Sequence, residues 1–140
     1  MRKKAISPVA DLFYDRYNGI LFIKVFEDVE MTSEGIIKHY EIIKELTQNR
    51  PYAALIDAEY YFTIDNDTLK LSASPEVFGN RIATAHYSYN LANRLTTHFF
   101  KNNIKPPIPI EYFKTKRDAL SWIKKRIAEF ETINKTKLVY

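Results

Sequence analysis

The carboxylates Asp57, Glu59, Asp65 and Asp67 fall within one short stretch of this chain, with Tyr60, Tyr61, Phe62 and Asn66 set between them. Carboxylate oxygens so close in sequence can hold a hard cation or pass a proton. A calcium loop, however, needs close oxygen spacing and a glycine at its sharp turn, and the stretch has neither an EF-hand pattern nor a glycine. Plainer roles compete: Asp65 or Asn66 can cap the turn that follows, and Asp57 can end a strand by accepting from backbone amides. Three consecutive aromatics in a loop cannot all turn into one core, so at least one of Tyr60, Tyr61 and Phe62 is expected at the surface. They form either a protein-contact or apolar-ligand surface, or a cap over the open end of a sheet. The expected site is therefore a partner- or ligand-binding segment built from Asp57, Glu59, Tyr60, Tyr61, Asp65, Asn66 and Asp67.

Other reactive types are sparse. There is no cysteine, which removes disulfides, thiolate nucleophiles and cysteine-ligated zinc together. The 3 glycines argue against glycine-rich phosphate loops, and no Gly-x-Ser-x-Gly elbow exists. His39, His86 and His98 share no metal-ligand spacing. His39 lies beside a helical stripe and is expected in solvent, His86 is mid-strand, and His98 is late in a helix, where the dipole favours it. No catalytic residue, metal or cofactor is assigned, and a non-enzymatic protein is expected.

The formal charge of +4 raises the question of a nucleic-acid partner. Acids are interspersed almost everywhere, however. Lys114, Lys116, Arg117, Lys124, Lys125 and Arg126 read best as the solvated back of an amphipathic helix, so nucleic-acid binding is not expected. At 140 residues the length fits one domain. No long apolar run could span a membrane, and no apolar segment follows the basic start, so a cytoplasmic protein is expected.

Positioning the acidic stretch falls to an alternation of elements. Residues 1–7 are basic, lack periodicity and are expected to fray. Val9 to Asp15 and Gly19 to Glu27 read as strands joined by an Asn18-Gly19 turn, a strong hairpin signal. Leu21, Ile23 and Val25 share one face, while Lys24 among Ile20, Phe22 and Phe26 marks the other as partly covered. Thr32 or Ser33 can cap a helix whose stripe is Ile36, Ile37, Tyr40, Ile43 and Leu46. Pro51 stops it, and Tyr52 to Asp57 follows, apolar on both faces as a doubly covered strand requires. Thr68 to Ser72 alternates apolar and polar, as a short strand or a ragged helical turn would, and the turn is preferred; Ser74-Pro75-Glu76 opens a short helix ending near Gly79. Arg81 to Ser88 is a strand, and Asn90 can cap a helix to about Lys101. Ile108 to Phe113 is a last strand, and Thr115 caps a closing helix that buries Ala119, Leu120, Trp122, Ile123, Ile127 and Phe130. Residues 132–140 form a polar tail.

This order resembles that of the STAS group, the SpoIIAA-like anti-sigma-factor-antagonist-like domains, from about Val9 to Phe130. Tyr112-Phe-Lys-Thr-Lys-Arg-Asp-Ala-Leu-Ser-Trp-Ile123 is similar to that family's strand ending in Phe, a short turn and an Ala-Leu-x-Trp-Leu helix. Leu55-Ile-Asp57 with Phe62-Thr-Ile-Asp65 resembles its Leu-Asp pair and later Ile-Asp. In the family's bacterial regulators a serine phosphorylated by a kinase partner follows that second aspartate. Here the position is Asn66, beside the fixed charge of Asp67, so the usual switch is missing and the resemblance is to the uncharacterised branch.

The expected fold is thus α/β: a single SpoIIAA-like domain over residues 8–131, with a mostly parallel five-stranded sheet in the order β-β-α-β-α-β-α-β-α. An N-terminal antiparallel hairpin and about four helices complete it. The resemblance implies a protein-interaction or regulatory module with an unidentified protein partner or a second copy as a homodimer. The alternative is a small apolar-ligand or lipid-binding domain, and a third reading is an enzyme using the stretch from 57 to 67.

Overall fold

The computed structural model describes residues 2–60, 62–88 and 91–134. One six-stranded sheet runs in the order β1-β2-β3-β5-β7-β8. These strands are β1 (Arg2–Ile6), β2 (Ala10–Asp15), β3 (Ile20–Val25), β5 (Tyr52–Asp57), β7 (Arg81–Tyr87) and β8 (Ile110–Phe113). β1, β2 and β3 are antiparallel neighbours, and β3, β5, β7 and β8 are parallel. A small parallel pair, β4 (Glu30–Met31) with β6 (Thr63–Ile64), ties the chain after β3 to the chain after β5. The helices are α1 (Ser33–Thr47), α2 (Asn66–Ser72), α3 (Pro75–Phe78), α4 (Leu91–Phe99) and α5 (Lys116–Asn134). A π-helical segment, Phe100–Ile104, continues α4. No helix among the described residues is long and apolar enough to cross a membrane.

The hairpin forms as its turn chemistry predicts. Asp15 accepts from the Asn18 backbone amide and from its side-chain amide, and Gly19 takes φ 69°. The outermost strand differs from expectation. Arg2–Ile6 pairs with β2 through its full length, with Arg2 opposite Asp15 and Ile6 opposite Asp11. β1 is an edge strand, where an exposed charge such as Lys4 opposes further strand pairing, so the lack of an apolar pattern did not prevent a strand. The sheet therefore has six strands rather than five. At the other end α5 continues through Asn134, past the expected boundary, while Met1, the Asn90 cap position and residues 135–140 lie outside the described residues.

Alternation along the strands makes two cores. Leu12, Tyr14, Leu21, Ile23, Tyr52 and Ala54 pack with Ile36, Tyr40, Ile43 and Leu46 of α1 and Phe78 of α3. Thr32 caps α1, its hydroxyl accepting from the Gly35 amide at 3.0 Å. Ile37, placed in the stripe by spacing, faces solvent at 43% exposure, and His39 is buried in its stead. On the opposite face Ile20, Leu55, Ala83 and Ala85 pack with Ala119, Ile123 and Ile127 of α5, and the α5 bases Lys116, Arg117, Lys124 and Lys125 face solvent.

Gly79 is a position only glycine fits. It ends α3 at φ 70°, ψ −128°, and an added Cβ would lie 3.2 Å from Lys44 Cε. Gly79→Ala should cost about 1–3 kcal/mol from backbone strain, read as a lower urea midpoint with an unchanged slope.

Candidate functional site

The residues expected to form one site are divided by the sheet. Asp57 ends β5 on the α5 side, between Lys24 and Tyr87 in register. Its carboxylate accepts from the Glu59 amide at 3.1 Å and from the Tyr87 hydroxyl, whose ionisation is pushed up by burial and by that carboxylate. Asp65, Asn66 and Asp67 sit exposed at the head of α2. Asp65 is its cap, accepting from the Thr68 amide at 2.7 Å, and this bond, with help from the Thr68 hydroxyl, holds its carboxyl below the usual carboxylate range. Glu59 and Tyr60 are exposed, and Tyr61 lies outside the described residues. Among the described residues, no group of three or more His, Asp or Glu side chains converges to hold a metal ion. Removing the cap by Asp65→Ala should lower stability, measured as a lower urea midpoint near neutral pH.

The loop's apolar residues behave otherwise. Ala58, Phe62 and Ile64 turn inward and, with Leu69 of α2, help line a partly open cavity of about 120 Å³ between the sheet and its helices. Ile23 and Ile56 form part of its floor, Ile36 and Tyr40 of α1 one wall, and Thr96 of α4 with Pro106 and Ile108 another. In volume it is comparable with cavities of roughly 150 Å³ that admit benzene. The aromatic stretch thus contributes Phe62 to a cavity while Tyr60 is 37% exposed.

The charged and imidazole groups of this cavity come from β7 and α1, with Ser72 of α2 and Thr96 of α4 adding hydroxyls. A bulge where Tyr52 pairs with Arg81 but Ala53 with Ala83 inserts Ile82 as an extra residue. Arg81 therefore shares a face with Thr84 and His86, whereas simple alternation sets it opposite, and Ile82 packs toward the α5 core. Arg81 is 6% exposed; its guanidinium stands 5.0 Å from the Tyr40 ring centre and 5.5 Å from that of Tyr52. Its Nε donates to the Tyr52 hydroxyl at 3.2 Å and Nη1 to Thr84 Oγ1 at 3.5 Å.

His39, expected in solvent, is 5% exposed, its Nδ1 lying 2.7 Å from Ser7 Oγ. Ser7 Oγ accepts from the Val9 and Ala10 amides, and its hydroxyl can donate either to the Ala10 carbonyl at 3.3 Å or to Nδ1; the shorter contact is to the imidazole. Burial, reinforced by the charge of Arg81, lowers its pKa to about 3. His86 is lowered to about 4 by the same two causes. A serine and a histidine at this distance suggest a nucleophile and its base, but a base with a pKa near 3 is nearly inert at neutral pH.

The burial of His39 had a signal in the sequence, since it stands three residues after Ile36 and four before Ile43. Arg81 had none, because the bulge that turns it inward leaves no residue pattern.

The architecture has a solved counterpart. An uncharacterised protein of the DUF3478 family from Shewanella loihica PV-4, with a SpoIIAA-like fold, aligns at TM-score 0.52 and 21% identity, covering 88% of this chain and 92% of that one. The fold is therefore SpoIIAA-like, a mostly parallel sheet with an N-terminal antiparallel hairpin, as the sequence resemblance implied. No curated protein matches the chain. The family model described as a domain of unknown function, DUF7793, matches residues 13–127, and the chain belongs to that family.

Proposed function

We propose that this SpoIIAA-like domain acts without catalysis, by holding a small apolar molecule between its sheet and the helices α1, α2 and α4. The observation that carries this reading is the cavity of about 120 Å³, walled mainly by apolar side chains, with Arg81, Thr84 and His86 of β7 and His39 and Tyr40 of α1 among its polar groups. Pre-formed concave sites of this composition suit small ligands. The neutral histidines within it support binding rather than proton transfer. Titration with hexanol, followed through methyl NMR signals, should shift Ile56, Ile64 and Ile108 and leave Ile123 and Ile127 of α5 unmoved. Absent or uniformly scattered shifts would sink the reading.

A second reading, a docking site for a protein or a second copy, is favoured by the opposite sheet face. There α5 leaves β1 to β3 partly uncovered: Ile6 is 71% exposed, and the rings of Phe13 and Phe22 meet at a tilt, 5.9 Å apart, beside Lys24 and Asp57. Light scattering across a concentration series tests for the second copy, and Phe13→Ser should dissociate any dimer formed through this face.

A further inference from the structure

We infer that the cavity is built for a small monocarboxylate with an apolar tail or ring, whose carboxylate is bound by Arg81. The inference rests on the ligand-binding reading above and specifies its headgroup.

Arg81 presents a fork of N–H donors and carries a permanent positive charge. Tyr52 and Thr84 engage Nε and Nη1, but Nη2 is buried with no hydrogen-bond partner among the described residues. Tyrosine rings and hydroxyls surround the guanidinium where a carboxylate would ordinarily stand. None of the cavity-lining side chains among the described residues is Asp or Glu. His39 and His86 add no charge at neutral pH. The cavity wall therefore carries one uncompensated cation in an apolar setting.

Such an arrangement is costly in a protein that keeps it only for structure. Buried charges are normally paired, because desolvation without a partner opposes folding. The faces of Tyr40 and Tyr52 offset part of that cost and hold the guanidinium in place. They do not occupy Nη2. A carboxylate would take that donor, with the Thr84 hydroxyl beside it, and its single negative charge would balance the single positive one. The remaining wall is hydrocarbon, which fits a tail or ring of about benzene size.

The test compares hexanoate, hexanol and hexylamine, which share one tail and differ in headgroup, by calorimetry at neutral pH. Hexanoate should bind roughly ten- to a hundredfold more tightly than hexanol, and hexylamine more weakly than either. Arg81→Met should bring hexanoate down to the level of hexanol while hexanol affinity stays within about twofold. The melting temperature of the ligand-free variant should not fall, since an unpaired buried charge is removed; a purely structural Arg81 would make it fall. Equal binding of hexanoate and hexanol to the natural protein would overturn the role of Arg81 and leave the apolar site standing. No binding of any of them would overturn both. The comparison on the natural protein decides the matter even if Arg81→Met does not fold.

Discussion

Ile123→Ala is expected to lower the unfolding free energy by about 2–5 kcal/mol, the usual range for truncating a fully enclosed isoleucine. Ile123 is 0% exposed and lies in the middle of the contact between α5 and the strands β5 and β7. Ile43, equally enclosed against the other face, should behave alike. Ile64→Ala should cost distinctly less, because its side chain borders the cavity and is only half-buried. A side chain with a void on one side has already forfeited part of its dispersion contacts. Urea unfolding of the three variants measures the contrast. An Ile64→Ala loss as large as that of Ile123→Ala would mean that the cavity is filled by protein.

The second large effect is acid sensitivity. Unfolded, His39 takes up a proton near pH 6.5; folded, it resists until about 3. Between those values the unfolded chain binds more protons, so stability falls as pH falls, by up to about 1.4 kcal/mol per pH unit for this one residue. His86, lowered to about 4, adds a loss of the same sign over a narrower window. Asp65 works in the same direction as its capping bond is lost on protonation. The groups facing His39 are Ser7, Tyr40 and Arg81. Replacing His39 by Gln keeps a partner for Ser7 and removes the titration. Stability measured from neutrality to about pH 4.5 should then fall less steeply in the variant, by about 1 kcal/mol per unit. Parallel curves for the two proteins would contradict the burial of a neutral imidazole.

How far all this could be read from the residues depended on whether the cause was local. The Asn18-Gly19 turn, the Thr32, Asp65 and Thr115 caps, and the apolar side of α5 follow from nearest neighbours or helical spacing, and all form as expected. Arg2–Ile6 becomes a strand because β2 offers it an edge, a long-range cause its own composition does not reveal. β4 and β6 are too short to show a pattern, and each exists only through the other. The site divides in the same way. Asp57 and Asp65 were legible as a strand end and a cap, but which side of the sheet each would occupy was not. The cavity arises from space left between elements, and Arg81 enters it through one bulged residue on β7.

The most direct measurement is the structure of crystals equilibrated with xenon under pressure, since xenon enters dry apolar cavities that exclude water. Xenon should appear between Ile56, Ile64 and Ile108, with no comparable site beneath α5. Ordered water throughout that space, or side chains closing it, would contradict a ligand-binding cavity.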